Sequence, residues 1–130
     1  MREVPTVPDW RQLCRGLDGI SIEGDEIQVA VADGRPRRVA VHETADTIEL
    51  TGIVARFATI DKIPDVPLRA WHRNRAMQLV GFRIDQKNRL IGETWLPKAG
   101  LDRDEFLFYL KRIAVECELF EYQLIGKDQE

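Results

Sequence analysis

The feature that most constrains the fold is segment 103–125, which carries apolar residues at helical spacing on two sides. Asp102 followed three residues later by Glu105 is a capping-box pattern, and Gly126 is typical of a helix end. These signals predict a helix of about 23 residues, about 34 Å long. Its core stripe consists of Phe106, Leu110, Ile113, Cys117, Phe120 and Leu124. Such a helix needs an apolar layer to pack on.

A second apolar set lies on the opposite side of the same helix. It comprises Phe108, Val115, Leu119 and Tyr122. In a monomer whose helix packs on one sheet, this second apolar face would stay exposed to solvent, so we expect it to form an interface. Homodimerisation is the favoured interpretation. Cover by the N-terminal arm or first helix of the same chain, and a different protein partner, are the alternatives.

The region from Ile20 to Phe57 has the two-residue apolar period of strands with one buried face. Turn residues at 33–36 and 44–46 divide it, which predicts a three-stranded antiparallel meander. Beyond Gly52 the apolar positions change parity, and a β-bulge at this glycine would explain the change.

A short first helix precedes the meander. It is predicted from the apolar stripe Trp10, Leu13 and Leu17, a capping pattern at Thr6 and Asp9, and the helix-ending residues Gly16 and Gly19. A helix of two to three turns follows from this spacing.

A second helix and a hairpin follow the meander. Asp65 is a good N-cap for a helix reaching about Met77, in which Leu68 and Trp71 are expected to face the core. Segments 78–85 and 90–96 then alternate apolar and polar residues, which predicts a β-hairpin with Asn88 in a left-handed conformation. The chain therefore reads as one α+β domain, 1–130, with helices packed against an antiparallel sheet.

This order of elements resembles the type III secretion chaperone-like (CesT-like) fold, and especially its bacterial YbjN branch. The resemblance is carried by Leu68–Asn74, Leu79–Asp85, Gly92–Pro97 and Asp104–Phe106. It covers nearly the whole chain as an order of elements and residues 66–125 in sequence. The resemblance implies a dimer that binds an extended segment of a partner protein, although many YbjN-type members have no assigned activity.

The chain is acidic overall, with a net charge of −3, but its charges are unevenly distributed. Residues 66–90 carry six Lys or Arg against one Asp, and both flanks carry a net charge of −4. The basic strip at 69–75 contains Arg69, Arg73 and Arg75, beside Trp71 and His72. Further basic residues that could join it are Arg83, Lys87, Arg89 and those of the 35–38 turn. We expect it to steer acidic or extended partner segments, or to serve as a surface or intersubunit charge complement.

A nucleic-acid or anionic-ligand module using residues 69–75 is the alternative function. Nucleic acid is disfavoured because the domain is acidic and carries no motif of a nucleic-acid-binding fold.

Catalytic residues are scarce. His42 and His72 have no metal-ligand spacing to each other or to a cysteine, and Cys14 and Cys117 form no C-x-x-C pair. Cys117 lies on the core stripe of the last helix, and Cys14 is also expected to pack, although it is the more plausible reactive thiol. A loose cation site at Glu43, Asp46 and Glu49 is less favoured than solvated carboxylates. We therefore expect no enzyme activity, no cofactor and no metal.

The sequence analysis predicts a cytoplasmic, chaperone-like homodimer that recognises a partner polypeptide by exposed apolar surface or by strand addition to a sheet edge. No apolar run is long enough for a membrane helix, and residues 1–5 have neither a basic n-region nor an apolar h-region, so we expect no export signal. The expected dimer or partner contacts are Trp10, Trp95, Phe108, Val115, Leu119 and Tyr122, with Arg69, Arg73 and Arg75 as electrostatic contacts.

Overall fold

The computed structural model describes residues 9–31, 36–76 and 79–125. Its helices are α1 (Trp10–Leu13), α2 (Phe57–Ile60), α3 (Val66–Ala76) and α4 (Arg103–Ile125). Its strands are β1 (Ile20–Glu23), β2 (Glu26–Ala30), β3 (Pro36–Glu43), β4 (Thr47–Ala55), β5 (Gly81–Ile84) and β6 (Leu90–Pro97). The six strands form one antiparallel sheet in the order β1-β2-β3-β4-β6-β5.

The long helix α4 confirms the prediction for segment 103–125, with the expected bounds. A side-chain oxygen of Asp102 accepts a hydrogen bond from the Glu105 amide at 2.8 Å, as an N-cap should. Gly126 lies outside the described residues. The six residues of the core stripe are all buried, because α4 lies across one face of the sheet and packs on β2, β3, β4 and β6.

The meander has four strands, so the expected count of three is wrong. The additional strand is β1, a short edge strand of which only Ile20 and Ile22 are apolar, and its residues are mostly exposed. A short, exposed edge strand gives a weak alternation signal. The turn at 44–46 is confirmed by the hydrogen bond from the Thr44 amide to the Thr47 carbonyl at 2.9 Å. Most of the turn predicted at 33–36 lies outside the described residues; Pro36 opens β3.

The β-bulge lies beyond Gly52 and not at it. The register of β4 against β6 shifts between Ile53 and Ala55, whereas Gly52 continues the buried parity of Ile48 and Leu50. Gly52 is a glycine for another reason: a Cβ built there would lie 3.0 Å from Cys117 Sγ on α4. The glycine allows close approach of the helix to the sheet.

The shorter helices differ from expectation at their ends. α1 has a single turn, capped by Asp9, because the chain leaves the helix at Cys14 and reaches positive φ at Gly16 and Gly19. Thr6 lies outside the described residues. α2 was not expected. α3 begins after Asp65 as predicted, although Asp65 itself has φ of 58°.

The β5–β6 hairpin is confirmed around Asn88, whose φ is 60°. β5 is shorter than segment 78–85, because its ladder with β6 extends only from Gly81 to Ile84. β6 runs on to Pro97 and stays paired with β4 along its length. Residues 90–93 of β6 therefore have a neighbouring strand on each side. Residues 94–97 have a neighbouring strand only at β4 among the described residues.

Candidate functional site

The outward stripe of α4, defined as Phe108, Val115, Leu119 and Tyr122, lies on solvent. The four side chains are exposed by 53%, 41%, 46% and 58%. α4 thus buries one face on the sheet and presents a second apolar face outward. The first helix does not cover this face in the described part of the chain, although α1 contacts α4. The N-terminal arm lies outside the described residues.

Trp10 is not a surface residue, so its assignment to a dimer or partner interface is wrong. Its side chain is 2% exposed and belongs to the core, next to the buried Cys14 and the partly buried Leu13. The Arg11 guanidinium lies 4.3 Å from the Trp10 ring centroid and covers it. A four-residue helix can bury its single aromatic only by docking inward.

Trp95 is 60% exposed and lies on the sheet face opposite α4. It is paired with Glu49 across β4 and β6, in the half of β6 that lacks a β5 neighbour. A cleft with a volume of about 500 Å³ lies beside this half. Its lining residues are Asn74, Leu79, Val80, Gly81, Glu93, Thr94, Trp95 and Tyr109. The cleft and the exposed indole together make this corner of the sheet a candidate contact surface, termed the β6 corner.

The basic strip is divided by the geometry of α3. Arg73 points inward: its guanidinium lies 3.0 Å from a carboxylate oxygen of Glu116 and donates to Gln123 Oε1 at 2.5 Å. Both the Arg73 and Glu116 side chains are largely buried. Arg75 instead lies over the exposed Trp71 ring, 5.1 Å from its centroid. Of the three arginines in the basic strip, Arg69 and Arg75 therefore present their charge to solvent.

Leu68 and Trp71 face solvent, which overturns their expected place in the core. They are 52% and 53% exposed, while Val66 and Ala70 form the buried face of α3. The apolar side chains on the buried face of α3 are therefore smaller than those on its exposed face. The exposed pair adds apolar area to a helix that carries no acidic side chain.

Arg37 belongs to a separate ion-pair network and not to the basic strip. It lies within 2.7 Å of Glu118 and 2.6 Å of Glu121 on α4, and donates to the Ile53 carbonyl at 2.5 Å. Burial alone would lower the pKa of Arg37, but the two carboxylates outweigh burial and raise it. This network lines a cavity of about 640 Å³ near the end of β4, where further arginines and carboxylates oppose each other. The cavity therefore offers little net charge to a ligand.

Neither cysteine is activated. Burial raises the pKa of Cys14 to about 11 and that of Cys117 to about 12, and neither thiol is in a disulfide. A thiol with a raised pKa is a poor nucleophile at neutral pH.

Glu43 pairs with Lys98 at 3.0 Å, and the described part of the chain contains no group of three or more metal-binding side chains. No helix among residues 9–31, 36–76 and 79–125 is both long and apolar enough to cross a bilayer.

Sequence reasoning identified the outward stripe, but it missed the β6 corner as a cleft and the pairing of Arg73 with Glu116. The partners in that pair are 43 residues apart. A charged residue at position 116, next to the core stripe, was the available signal, because a carboxylate there requires a partner from another element.

Comparison with known proteins bears on the fold. No protein-family model matches the chain, and no curated protein does, so membership of the YbjN branch stays a prediction. Among solved structures, a chain of the crystal structure of the ExsC–ExsE complex is similar, with a TM-score of 0.58 and 16% sequence identity. The match covers 88% of this chain and 91% of that chain. This likeness confirms the expected α+β, secretion chaperone-like fold.

Proposed function

We propose that this protein is a non-enzymatic, chaperone-like homodimer that acts in the cytoplasm and recognises a segment of a partner polypeptide. The observation that carries the proposal is the outward stripe of α4, which stays exposed after the helix has filled the core. Two further observations support it: the exposed Trp95 at the β6 corner, and a fold shared with a chain solved in complex with another protein.

A second copy is the occupant that suits the outward stripe best. Phe108 and Tyr122 are separated by about 21 Å along the helix axis, so the stripe is long enough for two helices to cross along several turns. A two-fold axis lets one apolar stripe serve as its own complement. Each large side chain buried in this way contributes about 1.5–3 kcal/mol in transfer terms.

The oligomeric state tests this part of the proposal. Leu119→Asp places a charge in the centre of the stripe and should convert a dimer into a folded monomer, measured by light scattering with circular dichroism as the folding check. Phe57→Asp is the matched control, because Phe57 is equally exposed but lies on α2. A wild-type protein that is monomeric at all concentrations, or an L119D variant that remains dimeric, would contradict the proposal.

The β6 corner is the proposed contact for the partner segment. β6 is paired with β4 from Leu90 to Pro97, but β5 covers only Leu90 to Glu93. An extended segment placed in line with β5 would pair with the uncovered half by strand addition. Its side chains would alternate between Trp95 on one face and Tyr109 on the other, since both residues line the cleft.

Photo-crosslinking in the host tests partner recognition at this corner. A photoreactive phenylalanine analogue in place of Trp95 should form a crosslink to one polypeptide, and the crosslinked peptide should be extended and partly apolar. The same analogue in place of Gln86, exposed in the β5–β6 turn, is the control. Equal crosslinking at both positions, or none at Trp95, would count against the β6 corner.

A further inference from the structure

A groove between α3 and α4 has two arginines and a histidine on one wall and mainly apolar side chains on the other. Arg69, His72 and Arg73 form the α3 wall, and Phe120, Gln123 and Leu124 form the α4 wall. Both walls use positions i, i+3 and i+4, so each is a single helix face. The groove has a volume of about 440 Å³ and is named here the α3–α4 groove.

The positive charge of the groove is neutralised only in part from within, because Arg73 pairs with Glu116 and Arg69 does not. Glu116 lies behind it, 7% exposed, and is already within 3.0 Å of Arg73 and 3.5 Å of Arg112. Arg69 is exposed at the mouth and forms no ion pair among the described residues. The Nε atom of Arg73 is buried without a hydrogen-bond partner in the described part of the chain. A carboxylate entering the groove would therefore find an unpaired guanidinium at Arg69.

The apolar residues of the α4 wall favour a protein ligand over a nucleic acid. Phe120 and Leu124 are 3% and 5% exposed, and Arg73 lies 5.2 Å from the Phe120 ring centroid. Leu68 and Trp71 continue the apolar surface on the outward side of α3. Nucleic-acid phosphates are bound by several cationic side chains together, whereas this groove offers one unpaired guanidinium, and its lining includes the apolar Phe120 and Leu124.

We propose that the α3–α4 groove binds an acidic side chain of a partner polypeptide, with a neighbouring apolar residue of that segment packed against Leu68 and Trp71. The inference rests on the proposed function and adds the chemistry of the partner: Asp or Glu next to a large apolar residue. Arg69 is the main electrostatic contact, and Arg73 holds the shape of the groove through Glu116 and Gln123.

Fluorescence anisotropy with defined probes tests the groove. The main probe is a labelled peptide of Glu-Leu-Glu-Gly repeats, and its comparison peptide has Gln in place of each Glu. The Glu peptide should bind, Arg69→Glu should weaken binding by about tenfold, and raised salt should weaken it further. Lys87→Glu makes the same charge change in the β5–β6 turn and should leave the affinity within about twofold. Circular dichroism and thermal melting confirm that both variants are folded.

Three results would overturn the inference: equal affinity for the Glu and Gln peptides, unchanged binding by R69E, or equal binding of single-stranded oligothymidylate with the same dependence on Arg69. Its failure is separable from failure of the proposed function. L119D reports on the dimer and crosslinking at Trp95 reports on the β6 corner, and neither readout depends on Arg69.

Discussion

Gly52 and Gly92 are opposite each other in the β4–β6 ladder, and Cys117 of α4 lies directly above both. The thiol is fully buried and lies 3.8 Å from the Gly52 carbonyl oxygen. Because neither glycine has a side chain, the sheet surface is lower at this point, and Cys117 of α4 packs closely against it. This contact sets how closely the long helix packs, and so how far its outward stripe projects.

Gly92→Ala should destabilise the fold, because the new Cβ would lie 2.7 Å from Cys117 Sγ and 2.9 Å from Phe82 Cε1. Overpacking of this kind costs about 1–3 kcal/mol in the free energy of unfolding, measured by urea denaturation. Gly81→Ala is the matched control, since a Cβ there meets nothing within 4 Å. Equal stability of the two variants would show that the contact of Cys117 with the sheet is not tight.

Arg73→Leu should cost about 3 kcal/mol, because it leaves the Glu116 carboxylate buried without its closest cation. Replacing both Arg73 and Glu116 by Leu should recover part of that loss, since no buried charge remains. Arg83→Leu removes a pair with Glu93 in which the arginine is about half exposed, and it should cost only about 0–1 kcal/mol. Equal losses in the free energy of unfolding for R73L and R83L would contradict the interpretation of Arg73 and Glu116 as a buried pair.

Both thiols should be unreactive toward a disulfide reagent at pH 8 in the folded protein and reactive in urea, because burial raises their pKa values. An unfolded thiol ionises near pH 8.5, whereas the folded thiols stay protonated to about pH 11 and about pH 12. The contribution of the protonated thiols to the free energy of unfolding is therefore complete below about pH 8.5 and is lost as the pH rises above that value. Cys117→Ala should flatten this loss between neutral and alkaline pH; an unchanged slope would contradict it.

The two tryptophans with opposite environments should respond oppositely to truncation. Trp10→Ala removes a side chain that is 2% exposed and should cost about 3–5 kcal/mol. Trp95→Ala removes one that is 60% exposed and should change stability by about 0.5 kcal/mol or less. Thermal melts of the two variants check this, and a larger effect at Trp95 would show that the indole packs within the chain.

The sequence predicted an element accurately where its capping residues and its apolar period agreed. The bounds of α4 were predictable because the Asp102 cap marks its start and the helical period of the core stripe continues to Leu124. Trp10 and Trp71 were misplaced, since a helix of a few turns has a stripe on one face but does not reveal which face is inward. On α3 the inward face is the one with Val66 and Ala70, and the larger apolar residues lie outside.

The sequence predicted the candidate surface that lies on a single helix, but not those formed where two elements meet. The outward stripe belongs to a single helix, so its period identified it. The β6 corner depends on where β5 stops pairing with β6, and the α3–α4 groove depends on two helices that are separated by a hairpin in the chain. Spacing along one segment carries no information about such junctions.

The sheet joins two continuous lengths of chain through one ladder, that of β4 with β6. Residues 20–55 form β1 to β4, and residues 66–125 form α3, the hairpin and α4, which reaches back over β2, β3 and β4. These two halves contact each other by complementary surfaces, and the covalent link between them runs only through 56–65. The same contacts form whether the halves come from one chain or from two, so exchange of the second half between copies would rebuild the fold as a domain-swapped pair.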